Sequence, residues 1–110
     1  MWRLTRRTVT GSFRSLGRDV DYRYNPKTDT LWLLIEDRPV AYSTETSFGL
    51  IDFDADDDIV AIQIFGASEA FARSDKITPQ PQPDLSKDLL DRVNSYVREA
   101  REHVKIGAPS

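Results

Sequence analysis

The sequence predicts an α+β domain, a five-stranded antiparallel meander sheet with a C-terminal amphipathic helix packed on one face. Three observations carry this. Between residues 20 and 65, short segments alternate apolar and polar residues with period two, each bounded by turn-forming residues. Near the C-terminus, one segment repeats its apolar residues at helical spacing. The 110 residues, 39% hydrophobic and 30% charged, fit one globular domain that can bury a core without disulfides or a structural metal.

The first strand follows from Val20, Tyr22 and Tyr24 alternating with Asp21 and Arg23, which gives it one wet face. Asn25-Pro26-Lys27-Thr28-Asp29 reads as a tight turn, because Pro26 fixes φ while Asn25 and Asp29 can hydrogen-bond the local backbone. The second strand, Thr30 to Ile35, is apolar on both sides and so belongs at the centre of a sheet. A more polar third strand runs from about Val40 to Thr46. The fourth, Phe48 to Phe53, and the fifth, Ile59 to Phe65, flank the acidic turn Asp54 to Asp58 as a hairpin. Glu69 to Ile77 allows a short helix over the sheet's edge. Leu85, Leu89, Val93, Tyr96, Val97, Ala100 and Val104 then mark the amphipathic helix, with Asp84 or Ser86 placed to cap it, Asp88 in its first turns and Lys105 near its end.

These elements divide the chain into a basic N-terminal arm (1–18), a β-rich domain (19–78), a Pro/Gln linker (79–83) and the C-terminal amphipathic helix (84–106). The charge divides with them. Arg3, Arg6, Arg7, Arg14 and Arg18 give the arm +5 with no acidic residue, so the net −3 leaves −8 on the rest. The alternating prolines of Pro79-Gln80-Pro81-Gln82-Pro83 favour an extended connector.

Several chemistries lose their residues at this stage. The chain has no Cys and one His, His103, which removes thiolate nucleophiles, Cys-based metal centres and multi-His metal sites. No serine lies in Gly-x-Ser-x-Gly, and Gly11 to Gly17 lacks the lysine of a phosphate loop. No metal and no cofactor is expected. The longest strongly apolar run, Leu31 to Ile35, falls far short of the ~20 residues that span a bilayer, and the arginine-rich start lacks the apolar stretch of a secretory signal, so the expected setting is cytoplasmic.

The order Tyr24-Asn25-Pro26, Thr28-Asp29-Thr30-Leu31-Trp32-Leu33, Ser43 and Glu45, Gly49-Leu50-Ile51-Asp52-Phe53-Asp54, Ile59-Val60-Ala61-Ile62-Gln63-Ile64 and Ala67-Ser68 resembles the YuzE-like family. This is a group of short bacterial and phage proteins catalogued as a domain of unknown function. The resemblance covers about Val20 to Ser68. It implies a compact β-rich fold, no known cofactor and an association with small toxin-like proteins, hence an antitoxin or adaptor role. The chain departs from the family's pattern at Asp57 or Asp58 and at Ala61, where Gly is usual, and at Gln63, where an acidic residue is usual.

Four site readings compete. Trp32, Leu34 and Phe65 give the second face of the sheet apolar character that a single helix cannot cover. With Tyr96 on the helix, they are the candidate partner-binding residues, the cover being a second copy in a homodimer, a small protein partner, or the chain's own N-terminal arm through Trp2, Leu4, Val9, Phe13 and Leu16. The five arm arginines are candidate contacts for nucleic acid, weak and salt-dependent, or for an acidic partner. Asp52, Asp54 and Asp56 mimic the start of a calcium loop, but the sixth and twelfth positions are Asp57 and Gln63 rather than Gly and Glu, so a solvated turn is the expectation. Glu45 and Asp52 are a carboxylate pair for a small hydrolase. The leading expectation is a non-enzymatic, protein-binding regulatory module with an antitoxin-like role.

Overall fold

A computed structural model describes residues 8–46, 49–69 and 87–104. It contains six strands, β1 (Val9–Ser15), β2 (Arg18–Asn25), β3 (Thr30–Leu34), β4 (Tyr42–Glu45), β5 (Gly49–Phe53) and β6 (Ile59–Phe65), and one long helix, α1 (Lys87–His103). The strands form one antiparallel sheet in the order β1-β2-β3-β6-β5-β4.

The sheet thus has six strands rather than five, and it is not a simple meander. The added strand, β1, uses residues assigned above to the arm. It pairs with β2 from Val9↔Tyr24 to Ser15↔Arg18 through a two-residue turn, Leu16-Gly17, with φ of 53° and 75°. Two positive φ values suit the right-handed twist of a hairpin. The topology departs from a meander because β3 pairs with β6 and the chain carries β4 to the far edge. Burial explains that exchange. β3 and β6 are apolar on both sides and take the two central places, whereas the polar Tyr42-Ser43-Thr44-Glu45 goes to an edge.

Alternation sends Phe13, Val20, Tyr24, Leu31, Leu33, Ile51, Phe53, Ile62 and Ile64 into one buried cluster, where they meet Leu89, Val93, Tyr96, Val97 and Ala100 of α1. The helix therefore packs on one face, as its 3.6-residue spacing requires. Asp88 lies in its first turn and Arg101 in its last, where each charge suits the helix dipole. His103 sits at the rim, its ring stacked on Phe13 at 5.3 Å and its Nε2 3.6 Å from Glu99. Ala67 to Glu69 make a helical turn. Residues 70–77 of the expected short helix, the linker at 79–83, Leu85, both candidate caps and Lys105 lie outside the described residues.

Candidate functional site

The helix leaves the other face of the sheet open. Register places its side chains in rows. Arg23, Trp32, Gln63, Leu50 and Glu45 stand side by side across β2, β3, β6, β5 and β4. The next row is Asp21, Leu34, Ala61, Asp52 and Ser43. Phe65, opposite Thr30, extends the apolar centre by one further step. Leu34, the last residue of β3, is 42% exposed, and Phe65, the last of β6, is 50% exposed. Trp32 is half-buried, with the Arg23 guanidinium 5.9 Å from its ring centre.

Three of the four candidate partner-binding residues, Trp32, Leu34 and Phe65, therefore share one surface. Tyr96 does not join them. It lies on the inner stripe of α1, 3% exposed and on the opposite side of the sheet, because its spacing from Leu89, Val93 and Ala100 points it into the core.

Among the described residues, Asp52 is the one carboxylate embedded in the open face, 8% exposed. The Ser43 hydroxyl donates to one of its oxygens at 2.5 Å and the Gln63 amide to the other at 3.2 Å. Glu45, the other carboxylate of the candidate pair, stands opposite Leu50 on the same face and is exposed. Cavities of about 270 Å³ (Arg38 to Ala41 with Asp54 to Asp56) and about 50 Å³ (including Arg18, Glu36, Arg38, Asp58, Arg92 and Tyr96) lie elsewhere, and neither is lined by Glu45 or Asp52.

The acidic hairpin is organised by its own first carboxylate. Asp54, 4% exposed, accepts the backbone N–H groups of Asp56 at 2.8 Å and Asp58 at 3.0 Å and a 3.3 Å bond from Arg38. The Asp58 amide, with smaller contributions from the Asp56 amide and Arg38, holds the carboxyl below its ordinary range. Asp57 takes a φ of 64°, a conformation that Asp tolerates better than most side chains. Among the described residues, no three carboxylate or imidazole groups converge as a metal site would need. Asp57 also accepts the Tyr42 hydroxyl at 2.5 Å, and that bond pushes the phenol's pKa up.

Two of the five arm arginines are engaged within the domain. Arg14 pairs with Asp19 at 3.3 Å and donates to the Gly17 carbonyl, and Arg18 pairs with Glu36. Arg3, Arg6 and Arg7 lie outside the described residues.

A second, partly buried cluster ties the sheet together at Asp29. This residue, at φ 53°, accepts the Tyr24 hydroxyl and the Ser68 hydroxyl, each at 2.6 Å, and the Ser68 N–H at 3.0 Å, while its carbonyl accepts the Ala67 N–H. Burial alone would raise its pKa. The Ser68 hydroxyl, the Tyr24 hydroxyl and the Ser68 amide outweigh that effect and hold the carboxyl below its ordinary 3.8. A group with a depressed folded pKa stabilises the fold fully above the unfolded value and loses that contribution as pH falls through the folded one. Asp29→Asn, which keeps tolerance of positive φ, is therefore expected to lower stability at neutral pH by about 1 to 2 kcal/mol and to flatten the loss below pH 3.8, with Asp54 maintaining the residual slope. Urea midpoints between about pH 2 and 7 check this, and parallel profiles for variant and wild type would contradict it.

Comparison with known families bears on the same elements. Residues 21–68 match the family model of a protein of unknown function (DUF2283). The match covers less than half of the 110 residues. It runs from Asp21 on the open face to Ser68 in the Asp29 cluster, taking in β3 to β6 and most of β2 and leaving out β1 and α1. No curated protein and no solved structure matches the chain. Among the described residues, no helix is long and apolar enough to cross a membrane.

Sequence reasoning treated Asp21 and Arg23 only as the wet side of a strand. Their place beside Leu34 and Trp32 follows from pairing register, which alternation along one strand cannot supply.

Proposed function

We propose that the chain is a non-enzymatic, protein-binding regulatory module that occupies a small protein partner with the open face of its sheet. The observation that carries this reading is the exposed apolar centre formed by Trp32, Leu34 and Phe65 on the side that α1 leaves uncovered. Apolar anchors ringed by polar groups, here Arg23, Asp21, Gln63 and Glu45, are the usual makeup of a binding patch. The YuzE-like resemblance adds the finer part, an antitoxin-like role in the cytoplasm of a bacterial cell. Nucleic-acid binding by the arm gains less support, because Arg14 and Arg18 spend their charge on Asp19 and Glu36.

Co-expression with the protein encoded beside it tests the reading. A stoichiometric complex is expected, and Leu34→Asp or Phe65→Asp should weaken it at least about 30-fold, because a charge replaces an apolar anchor, while leaving the far-ultraviolet circular dichroism unchanged. Absence of a complex, or a complex indifferent to both substitutions, would overturn the proposal.

A further inference from the structure

Among the described residues, the open face carries three exposed charged side chains without an opposite charge, Glu45 on the edge strand β4 and the β2 pair Asp21 and Arg23. Asp21 makes no hydrogen bond or ion pair among the described residues, and Arg23 has only the Trp32 ring. The two sit at alternate positions of β2, hence on one face, and both are exposed. Each stands beside a large apolar residue on β3, Asp21 beside Leu34 and Arg23 beside Trp32.

We infer that a second copy of this chain closes the open face, about a two-fold axis that runs across the strands between the Trp32 row and the Leu34 row. The inference rests on the reading of this face as a binding surface and names what covers it when no other partner is present. Rotation about that axis lays each row on the other row of the second copy. Arg23 then faces the second copy's Asp21, and Asp21 its Arg23, giving two ion pairs. Trp32 faces Leu34 twice, and Gln63 lies over the small Ala61. A two-fold axis running along the strands at the sheet's centre would instead set Asp21 against the second copy's Asp52, two carboxylates in a closing interface. Electrostatics thus selects one orientation. Face-to-face sheets cross at about 30°, which displaces the flanking strands by only a few ångströms, within the reach of an arginine side chain.

Size sets the strength. Six strands about 4.8 Å apart and five residues long present a face of about 24 by 17 Å. Two such faces, with their side-chain relief, bury on the order of 1,000 Å² in all, the range of weak, reversible complexes and not of obligate dimers. Weak, reversible self-association follows, and capture of another protein by this face competes with it.

Sedimentation of the full chain from about 10 μM to 1 mM, a range chosen to bracket a weak interface, tests the geometry. The wild type is expected to dimerise. Arg23→Asp places two carboxylates at 21 and 23 and Asp21→Arg two guanidiniums, so each variant alone should self-associate at least about tenfold more weakly. An equimolar mixture should regain the dimer, because 23 of one chain meets 21 of the other with opposite charge at both contacts. Circular dichroism of each variant checks that the exposed substitutions leave the fold intact. A wild type that stays monomeric throughout, single variants that dimerise as well as it does, or a mixture no tighter than its components would each overturn the proposal. None of these results touches the partner-complex measurement above, so the two readings fail separately.

Discussion

Gly49→Ala is expected to destabilise the domain by at least about 3 kcal/mol, seen as a lower urea midpoint with an unchanged slope. Gly49 opens β5, is buried, and lies across from Ile64 of β6. A Cβ built on it falls on the Gln63 carbonyl oxygen, with the carbonyl carbon at 2.9 Å. The obstacle is backbone in a strand hydrogen-bonded on both sides, to β3 and β5, so it cannot move aside as a flexible side chain would. The same glycine also closes the turn with Thr46, whose N–H and hydroxyl both donate to the Gly49 carbonyl. Gly17→Ala provides the contrast. Gly17 has a φ of 75° and nothing within 4 Å of a built Cβ, so only the left-handed backbone penalty of about 1 kcal/mol applies. A Gly49→Ala variant no worse than Gly17→Ala would contradict the close approach of β5 to β6. Total stability for such a domain is about 5 to 15 kcal/mol, so the larger loss threatens folding itself.

The second large effect separates two neighbours on β3. Leu33→Ala is expected to cost about 3 to 4 kcal/mol, and Leu34→Ala less than about 1 kcal/mol, when both are measured at low protein concentration. Leu33 is fully buried between β2 and β6 beneath α1, so truncation leaves a cavity that close-packed neighbours cannot fill. Leu34 is 42% exposed, and its removal opens no void. The binding measurements should reverse the order, with Leu34 governing association and Leu33 mattering only through folding. Equal destabilisation by the two would mean that the second face is covered within the monomer, which would remove the basis for the proposed docking surface.

Much of this architecture is legible along the chain, for reasons that differ by element. β2 declares itself because Val20 and Tyr24 enter the core while Asp21 and Arg23 do not. α1 does so because Leu89, Val93, Tyr96, Val97 and Ala100 recur at 3.6-residue spacing. β1 is silent by comparison. Val9-Thr10-Gly11-Ser12-Phe13-Arg14-Ser15 holds few apolar residues, and Leu16-Gly17 is not among the dipeptides that announce a two-residue hairpin. It becomes a strand because β2 offers a free edge and because Phe13 can dock beside Val20 and His103. Edge strands owe their state to what they pair with more than to their own composition.

The candidate site divides in the same way. That Trp32, Leu34 and Phe65 alternate with core residues was readable directly, and so was their apolar excess on a second face. Tyr96 was misplaced because an inward helical stripe and an exposed patch look alike in one dimension. Asp29 read as a turn former, and its grip on Ser68, 39 residues away, had no local sign.

Composition and periodicity along the chain already point to an α+β fold without cysteine, with doubly apolar strands destined for the centre of a sheet and a helix to cover one side. Those properties are local, set by composition and by the periods of 2 and 3.6. Only in the folded chain does β3 lie against β6, β1 complete the sheet, and Asp21 and Arg23 flank Leu34 and Trp32 on the open face. Strand order and register are decided by which pairs bury the most apolar surface together, a property of the assembled chain and not of any single segment.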